Sequence, residues 1–102
     1  MKFVRTPQFN RDYEQLSSAE RAKFKEMLRV FIPACDSYAS DPGGFVWPAS
    51  LRFERLTRSR ALAVTWSFSG PDGRATFEFE TVDGELRVVW RRVGRHSIYK
   101  NP

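Results

Sequence analysis

Residues 62–90 read LAVTWSFSGPDGRATFEFETVDGELRVVW, and this stretch decides the fold. Leu62, Val64, Trp66 and Phe68 alternate with Ala63, Thr65 and Ser67, the two-residue period of a strand with one buried face. Gly70-Pro71-Asp72-Gly73 is turn chemistry, after which Ala75, Phe77 and Phe79 alternate with Arg74, Thr76, Glu78 and Glu80. Asp83-Gly84 turns the chain again, into a last strand carrying Leu86, Val88, Val89 and Trp90. Three strands in an antiparallel meander follow from this pattern.

Upstream the period changes to that of helices. Phe3-Val4 reads as a short first strand, ended by Thr6-Pro7, where threonine caps a helix and proline fits its first turn. Phe9, Tyr13 and Leu16 then recur at helical spacing. Ser17 and Glu20 have capping-box spacing, so a second helix starts after almost no loop, with Phe24, Met27, Leu28 and Phe31 as its apolar stripe. Pro33 lacks the N–H that a helix interior uses, which predicts a kink there or a stop near Ile32. Residues 41–50, DPGGFVWPAS, hold two Pro and two Gly around Phe45, Val46 and Trp47 and predict an ordered loop pinned by its aromatics. Residues 51–60 carry four arginines, with Leu51, Phe53 and Leu56 available as anchors, and read as a loop or a short extended piece. The order β-α-α-β-β-β predicts an α+β fold: an antiparallel sheet of about four strands, with the N-terminal helix hairpin packed on one face. The opposite face, lined by Arg74, Thr76 and Glu78, is left to water or a partner.

At 102 residues the chain has room for one domain and one core, and nine Phe and three Trp make that core aromatic. Cys35 stands alone, so neither a disulfide framework nor a cysteine metal site is expected within the chain; it reads as a small core residue. No signal-peptide pattern follows Met1-Lys2 and no apolar run approaches a membrane span, so a cytoplasmic protein with no membrane partner is expected. The 17 basic residues outnumber the 12 acidic ones, and the excess sits in the second half of the chain. Residues 87–102 hold five basic residues and no acidic one. Clustered arginines match phosphate oxygens, which points to a polyanionic partner, nucleic acid first.

The basic ending also holds the protein's one histidine, His96, a residue type that exchanges protons near neutral pH. RNA can be cut without a metal when a 2′-hydroxyl attacks the neighbouring phosphate. That reaction needs a base, an acid for the leaving 5′-oxygen, and cations to stabilise charge on phosphorus. His96 can serve as acid or base, Tyr99 is a proton donor nearby, and Arg74, Arg92 and Arg95 are candidate phosphate clamps. This inventory requires no cofactor. A lone histidine beside arginines is more often a surface residue or a satisfied core histidine than a catalytic one. Strict alternation gives His96 the parity of Trp90 and Arg92, but Gly94 can interrupt the strand, so the sequence leaves its face open.

The chain also resembles the RelE/ParE-like toxins of bacterial type II toxin–antitoxin systems over nearly its whole length, residues 1–102. The resemblance is carried by the opening strand, the helix hairpin with Phe9, Tyr13 and Leu16, the DGRATFEF strand of residues 72–79, and WRRVGRHSIYKNP from Trp90. It implies one toxin domain that inhibits translation as an mRNA interferase, an endoribonuclease acting on mRNA in the ribosome. By position it implies His96, Arg74 and Tyr99 as catalytic residues. It implies ribosomal RNA contacts from Arg52, Arg55, Arg58 and Arg60, to which the basic run of the ending adds Arg91, Arg92, Arg95 and Lys100 as expected phosphate contacts. The implied partners are an acidic antitoxin protein, mRNA and the ribosome, in a homodimer or a toxin–antitoxin hetero-oligomer. Mid-chain, where many nuclease members carry further His, Lys or Glu, this sequence has arginines and Glu54, so the general base stays open. A ParE-like inhibitor that binds DNA gyrase without catalysis, and an inactive RNA-binding relative, are the alternative readings.

Overall fold

The computed structural model describes residues 1–68, 70 and 72–102. Five strands form one sheet in the order β1-β5-β4-β3-β2. They are β1 (Lys2–Arg5), β2 (Glu54–Arg55), β3 (Leu62–Trp66), β4 (Gly73–Val82) and β5 (Glu85–Gly94). The meander β3-β4-β5 is antiparallel, as its alternation predicts, and β2 adds two residues antiparallel to β3 at the edge. β1 lies parallel to β5, so the sheet is mixed at that edge. Asp83 and Gly84 both have positive φ, 52° and 80°, which the tight turn between β4 and β5 requires. The expected turn at residues 70–73 includes Pro71, which lies outside the described residues.

Helices α1 (Pro7–Gln15) and α2 (Ser18–Ser40) cover one face of the sheet. Thr6 caps α1 by accepting the Phe9 N–H, and Pro7 occupies the first turn, where its missing donor costs nothing. Ser17 and Glu20 form the reciprocal capping box at the start of α2. The apolar stripes of both helices meet on Trp90: Phe9, Phe24 and Phe31 have ring centroids 5.6, 5.6 and 5.1 Å from it. Phe31 also meets Phe77 edge-on at 5.1 Å and is fully buried. Cys35 is buried as expected, and burial pushes its thiol up to about 12, which makes it inert at neutral pH.

The structure departs from the sequence expectations at two places, the end of α2 and the far face of the sheet. α2 does not stop near Ile32 but runs on to Ser40, with Pro33 exposed inside it. The hydrogen bond that Pro33 cannot make would have gone to Arg29, on an exposed face where water reaches the free carbonyl. Burial of Phe31, Ala34 and Cys35 along the same stripe keeps the helix going. In the 41–50 loop, Phe45 and Trp47 pack edge-to-face at 5.0 Å, the aromatic pinning that the sequence suggests, and Val46 is 84% exposed. β3 is buried on both faces, Ala63 and Thr65 included, so the far side of the sheet is not left to water. A 3-10 helix (His96–Lys100) and the last two residues fold back over it. Thr76 on that face is fully buried and donates to the Pro102 carbonyl at 2.9 Å.

The face of His96 is decided by a bulge rather than by Gly94. Phe77 lies opposite Trp90 and Thr76 opposite Arg92, so Arg91 is an extra residue in β5. Trp90 before it and Val93 after it both enter the core, and the parity of the strand reverses between them. Arg92, Gly94 and the tail beyond them are thereby turned to the face away from the helices. Gly94 has a different role: a Cβ there would stand 3.0 Å from Ile98 Cγ2, so its bare backbone lets Ile98 close onto the sheet. Ile98 is buried and anchors the 3-10 turn that carries His96 and Tyr99.

Candidate active site

On the face away from the helices, three neighbouring strands bring polar residues close together, Thr65 and Arg74 in one cross-strand row and Glu54 in the row beside it. Glu54 of β2 lies opposite Ala63, Thr65 of β3 opposite Arg74, and Arg74 of β4 opposite Gly94. Ile98 closes over the bare backbone of Gly94, and the 3-10 turn anchored there brings Tyr99 over Arg74. The Tyr99 hydroxyl donates to Glu54 Oε1 at 3.1 Å. The Arg74 guanidinium carbon lies 5.9 Å from the Tyr99 ring centre, and the His96 ring 5.1 Å from it. Burial, reinforced by the adjacent Glu54 carboxylate, pushes the Tyr99 phenol up to about 12, although Arg74 and a hydrogen bond with Thr65 pull the other way. Tyr99 is therefore a neutral donor at physiological pH. His96 and Glu54 are exposed, and Tyr99 and Arg74 are half-buried.

His96, Arg74 and Tyr99, expected together from the sequence, are thus neighbours. Glu54 joins them, and it was not among the expected site residues. Its only sequence signal is that it is the lone carboxylate in an arginine-rich stretch, which says nothing of its facing Tyr99. Thr65 was missed as well, although its place on the polar phase of β3 is visible in the alternation.

The arginines divide into two groups. Arg91 donates to Glu78 at 2.6 Å and to the Pro102 carbonyl at 3.0 Å. Arg92 grips Asp12 of α1 with two nitrogens, at 2.6 and 3.2 Å, and donates to the Asn101 carbonyl. Asp12 also accepts the Val93 N–H at 3.2 Å, a donor left open where β1 ends beside β5. Burial works to raise the Asp12 pKa, but hydrogen bonds from Arg92, Gln8 and Val93 and the Arg92 charge outweigh it, and the net shift is downward. Arg95 reaches Asp72 and Glu20 and lies 5.1 Å over the Phe68 ring. These three tie the last strand and its tail to the rest of the molecule. Arg52, Arg55, Arg58 and Arg60 are exposed, and their side chains make no hydrogen bond or ion pair among the described residues. Arg58 and Lys100 line a groove of about 540 Å³ with Tyr99, so unpaired cations stand directly beside the candidate site.

No protein-family profile matches this sequence, and no curated protein sequence is similar to it. Among solved structures, a YoeB/ParE toxin from Agrobacterium tumefaciens matches with a TM-score of 0.54 at 15% identity, covering 94% of this chain and 99% of the other. At that identity it is the architecture that is shared. With the element order and the two-helix cover of the sheet, it shows that this chain has the fold of the RelE/ParE-like toxins.

Proposed function

We propose that this chain is the toxin of a type II toxin–antitoxin system and cuts mRNA as an endoribonuclease, with no metal or other cofactor. The observation that supports this reading is the meeting of Glu54, Arg74, His96 and Tyr99 on one sheet face, beside unpaired cations. In the reaction, the 2′-oxygen forms a bond to phosphorus as the bond from phosphorus to the 5′-oxygen breaks. Glu54 takes the 2′-hydroxyl proton, and His96, in its protonated form, supplies a proton to the departing 5′-oxygen. Arg74 stabilises the charge that grows on the equatorial oxygens. Tyr99 holds Glu54 by its hydroxyl; with a pKa of about 12 it stays protonated, and it can itself donate to a forming alkoxide, which is far more basic. Arg52, Arg55, Arg58, Arg60 and Lys100 supply phosphate contacts for mRNA and ribosomal RNA.

An acidic antitoxin would cover the same cations, and translation would be the process inhibited. No helix among the described residues is long and apolar enough to cross a membrane. A second reading, a ParE-like inhibitor that binds DNA gyrase without catalysis, draws on the ion pairing of Arg91, Arg92 and Arg95, which engages three expected clamps with carboxylates of the chain itself. Expression in a bacterial host separates the two. The nuclease reading expects growth arrest with cleaved mRNA and intact DNA, lost in Arg74→Ala and Glu54→Gln. Arrest with DNA damage and uncut mRNA would transfer the case to gyrase.

A further inference from the structure

Two of the unpaired arginines, Arg55 and Arg60, line a recess of about 360 Å³ whose other walls are the rings of Tyr38, Trp47, Phe53 and Phe79. The rings are arranged in parallel pairs. Trp47 lies on Phe53 at 4.5 Å with 6° between the planes, and Tyr38 on Phe79 at 4.7 Å with 20°. All four remain partly exposed. Glu78 also lines the recess, but its carboxylate is held by Arg91 at 2.6 Å and so does not neutralise Arg55 or Arg60. A small secondary core beneath the 41–50 loop would account for the rings. It would not account for two guanidiniums without partners on the same wall.

The recess stands across the edge of the sheet from the candidate active site. Arg55 is opposite Leu62, whose side chain is in the core beneath the helices, whereas the preceding residue, Glu54, faces Tyr99 on the other side. β2 is the edge strand, so nothing separates the two faces there except the turn closed by the Leu56 N–H donating to the Ala61 carbonyl. Arg58 of that turn lines the groove beside Tyr99. A flexible strand bound in the groove would meet cations continuously as it passes over this turn toward the rings. Aromatic faces flanked by unpaired arginines suit one chemistry well: a flat base attached to a phosphate.

We propose that the recess takes an unstacked nucleobase of single-stranded RNA, with its flanking phosphates held by Arg55 and Arg60, as a second contact across the sheet edge from the cleavage site. This rests on the reading of the chain as an RNA-cutting protein. The test measures binding of a 2′-O-methyl RNA octamer, which cannot be cut, and of the same octamer with abasic positions, by fluorescence anisotropy. Tyr38→Leu keeps the recess filled but removes a π face, and should weaken octamer binding about 5- to 100-fold while leaving the abasic octamer nearly unaffected. Arg55→Ala with Arg60→Ala, both exposed and safe for folding, should lower the salt slope of octamer binding by about 1.4. Lys25→Ala, on the exposed face of α2, should change neither. Octamer binding unchanged in both the Tyr38 and the arginine variants overturns the recess and spares the RNA reading. An equal loss for the abasic octamer in Tyr38→Leu also overturns it, and points to a backbone or an acidic peptide as occupant. A parental protein that binds no RNA overturns the RNA reading, and the recess falls with it.

Discussion

Asp12→Ala should be the most costly single substitution on the polar side of this fold, and the cost can be worked from the contacts. Asp12 accepts two hydrogen bonds from Arg92, one from the Val93 N–H and one from Gln8. The carboxylate is 11% exposed and Arg92 23%, so water replaces little of what is lost. Alanine leaves a guanidinium and a strand N–H without their acceptor, at about 1–3 kcal/mol for each such group. A total of about 3 kcal/mol is expected once partial hydration of Arg92 is allowed for, or a fall in Tm of roughly 12–20 °C for a chain of this size. Asp12→Asn keeps an acceptor for Val93 and loses the charge, so about half that cost should appear. Urea unfolding with an unchanged m-value is the assay.

The pH dependence carries a definite sign. The folded pKa of Asp12 lies below its unfolded value. Its contribution is therefore complete above the unfolded value, about 3.9, and disappears as pH falls through the lower folded one. The gap between parent and Asp12→Ala should be constant at neutral pH and close in strong acid. A cost under about 1 kcal/mol, or a gap that does not narrow at all as pH falls below about 3.9, would refute the role assigned to the Asp12–Arg92 pair.

Three further outcomes rest on single sites. Gly73→Ala would place a Cβ 2.6 Å from the Trp66 indole, so it should lower stability by about 1–3 kcal/mol in chemical denaturation. Pro33→Ala should raise stability by about 1–3 kcal/mol, because it restores a hydrogen bond to Arg29 inside an unbroken helix; a loss would mean that proline shapes the packing there. The Tyr99 phenol, at about 12, sits above its unfolded value of about 10, so its neutral form stabilises the fold below the unfolded value. Stability should decline as pH rises between these two values, and Tyr99→Phe should flatten that decline in alkaline denaturation curves.

The features legible in the sequence were local. Thr6-Pro7 and the Ser17–Glu20 box fix helix starts through contacts three residues apart, and the alternation from Leu62 to Trp90 fixes strands through neighbours two apart. The features that stayed hidden were set by distant partners. Pro33 argued locally for a break, but the buried stripe of Phe31, Ala34 and Cys35 against the sheet outweighed it. The extra residue at Arg91 leaves no mark in a run of apolar and basic residues, yet it decides which face His96 takes. Arg91, Arg92 and Arg95 read as free cations because Glu78, Asp12, Glu20 and Asp72, which hold them, are 13 to 80 positions away in the chain. In the same way, nothing in the sequence of Glu54 announces Tyr99, 45 positions later. Residue types suggested the chemistry, and pairing across the sheet selected which of them meet.

If the face bearing Glu54, Arg74, His96 and Tyr99 drives a 2′-hydroxyl onto phosphorus, the ends of the cleavage products record it. Ribosomes programmed with an mRNA are treated with the purified chain, the cut site is mapped, and the reaction is repeated with a single 2′-deoxy nucleotide 5′ to the scissile bond. The account predicts products ending in a 2′,3′-cyclic phosphate and a 5′-hydroxyl, no cleavage of the deoxy substrate, and a rate about 10²- to 10⁴-fold lower for a well-folded His96→Gln variant. Cleavage of the deoxy substrate, 5′-phosphate ends, or a His96→Gln protein that cuts at the parental rate would contradict it.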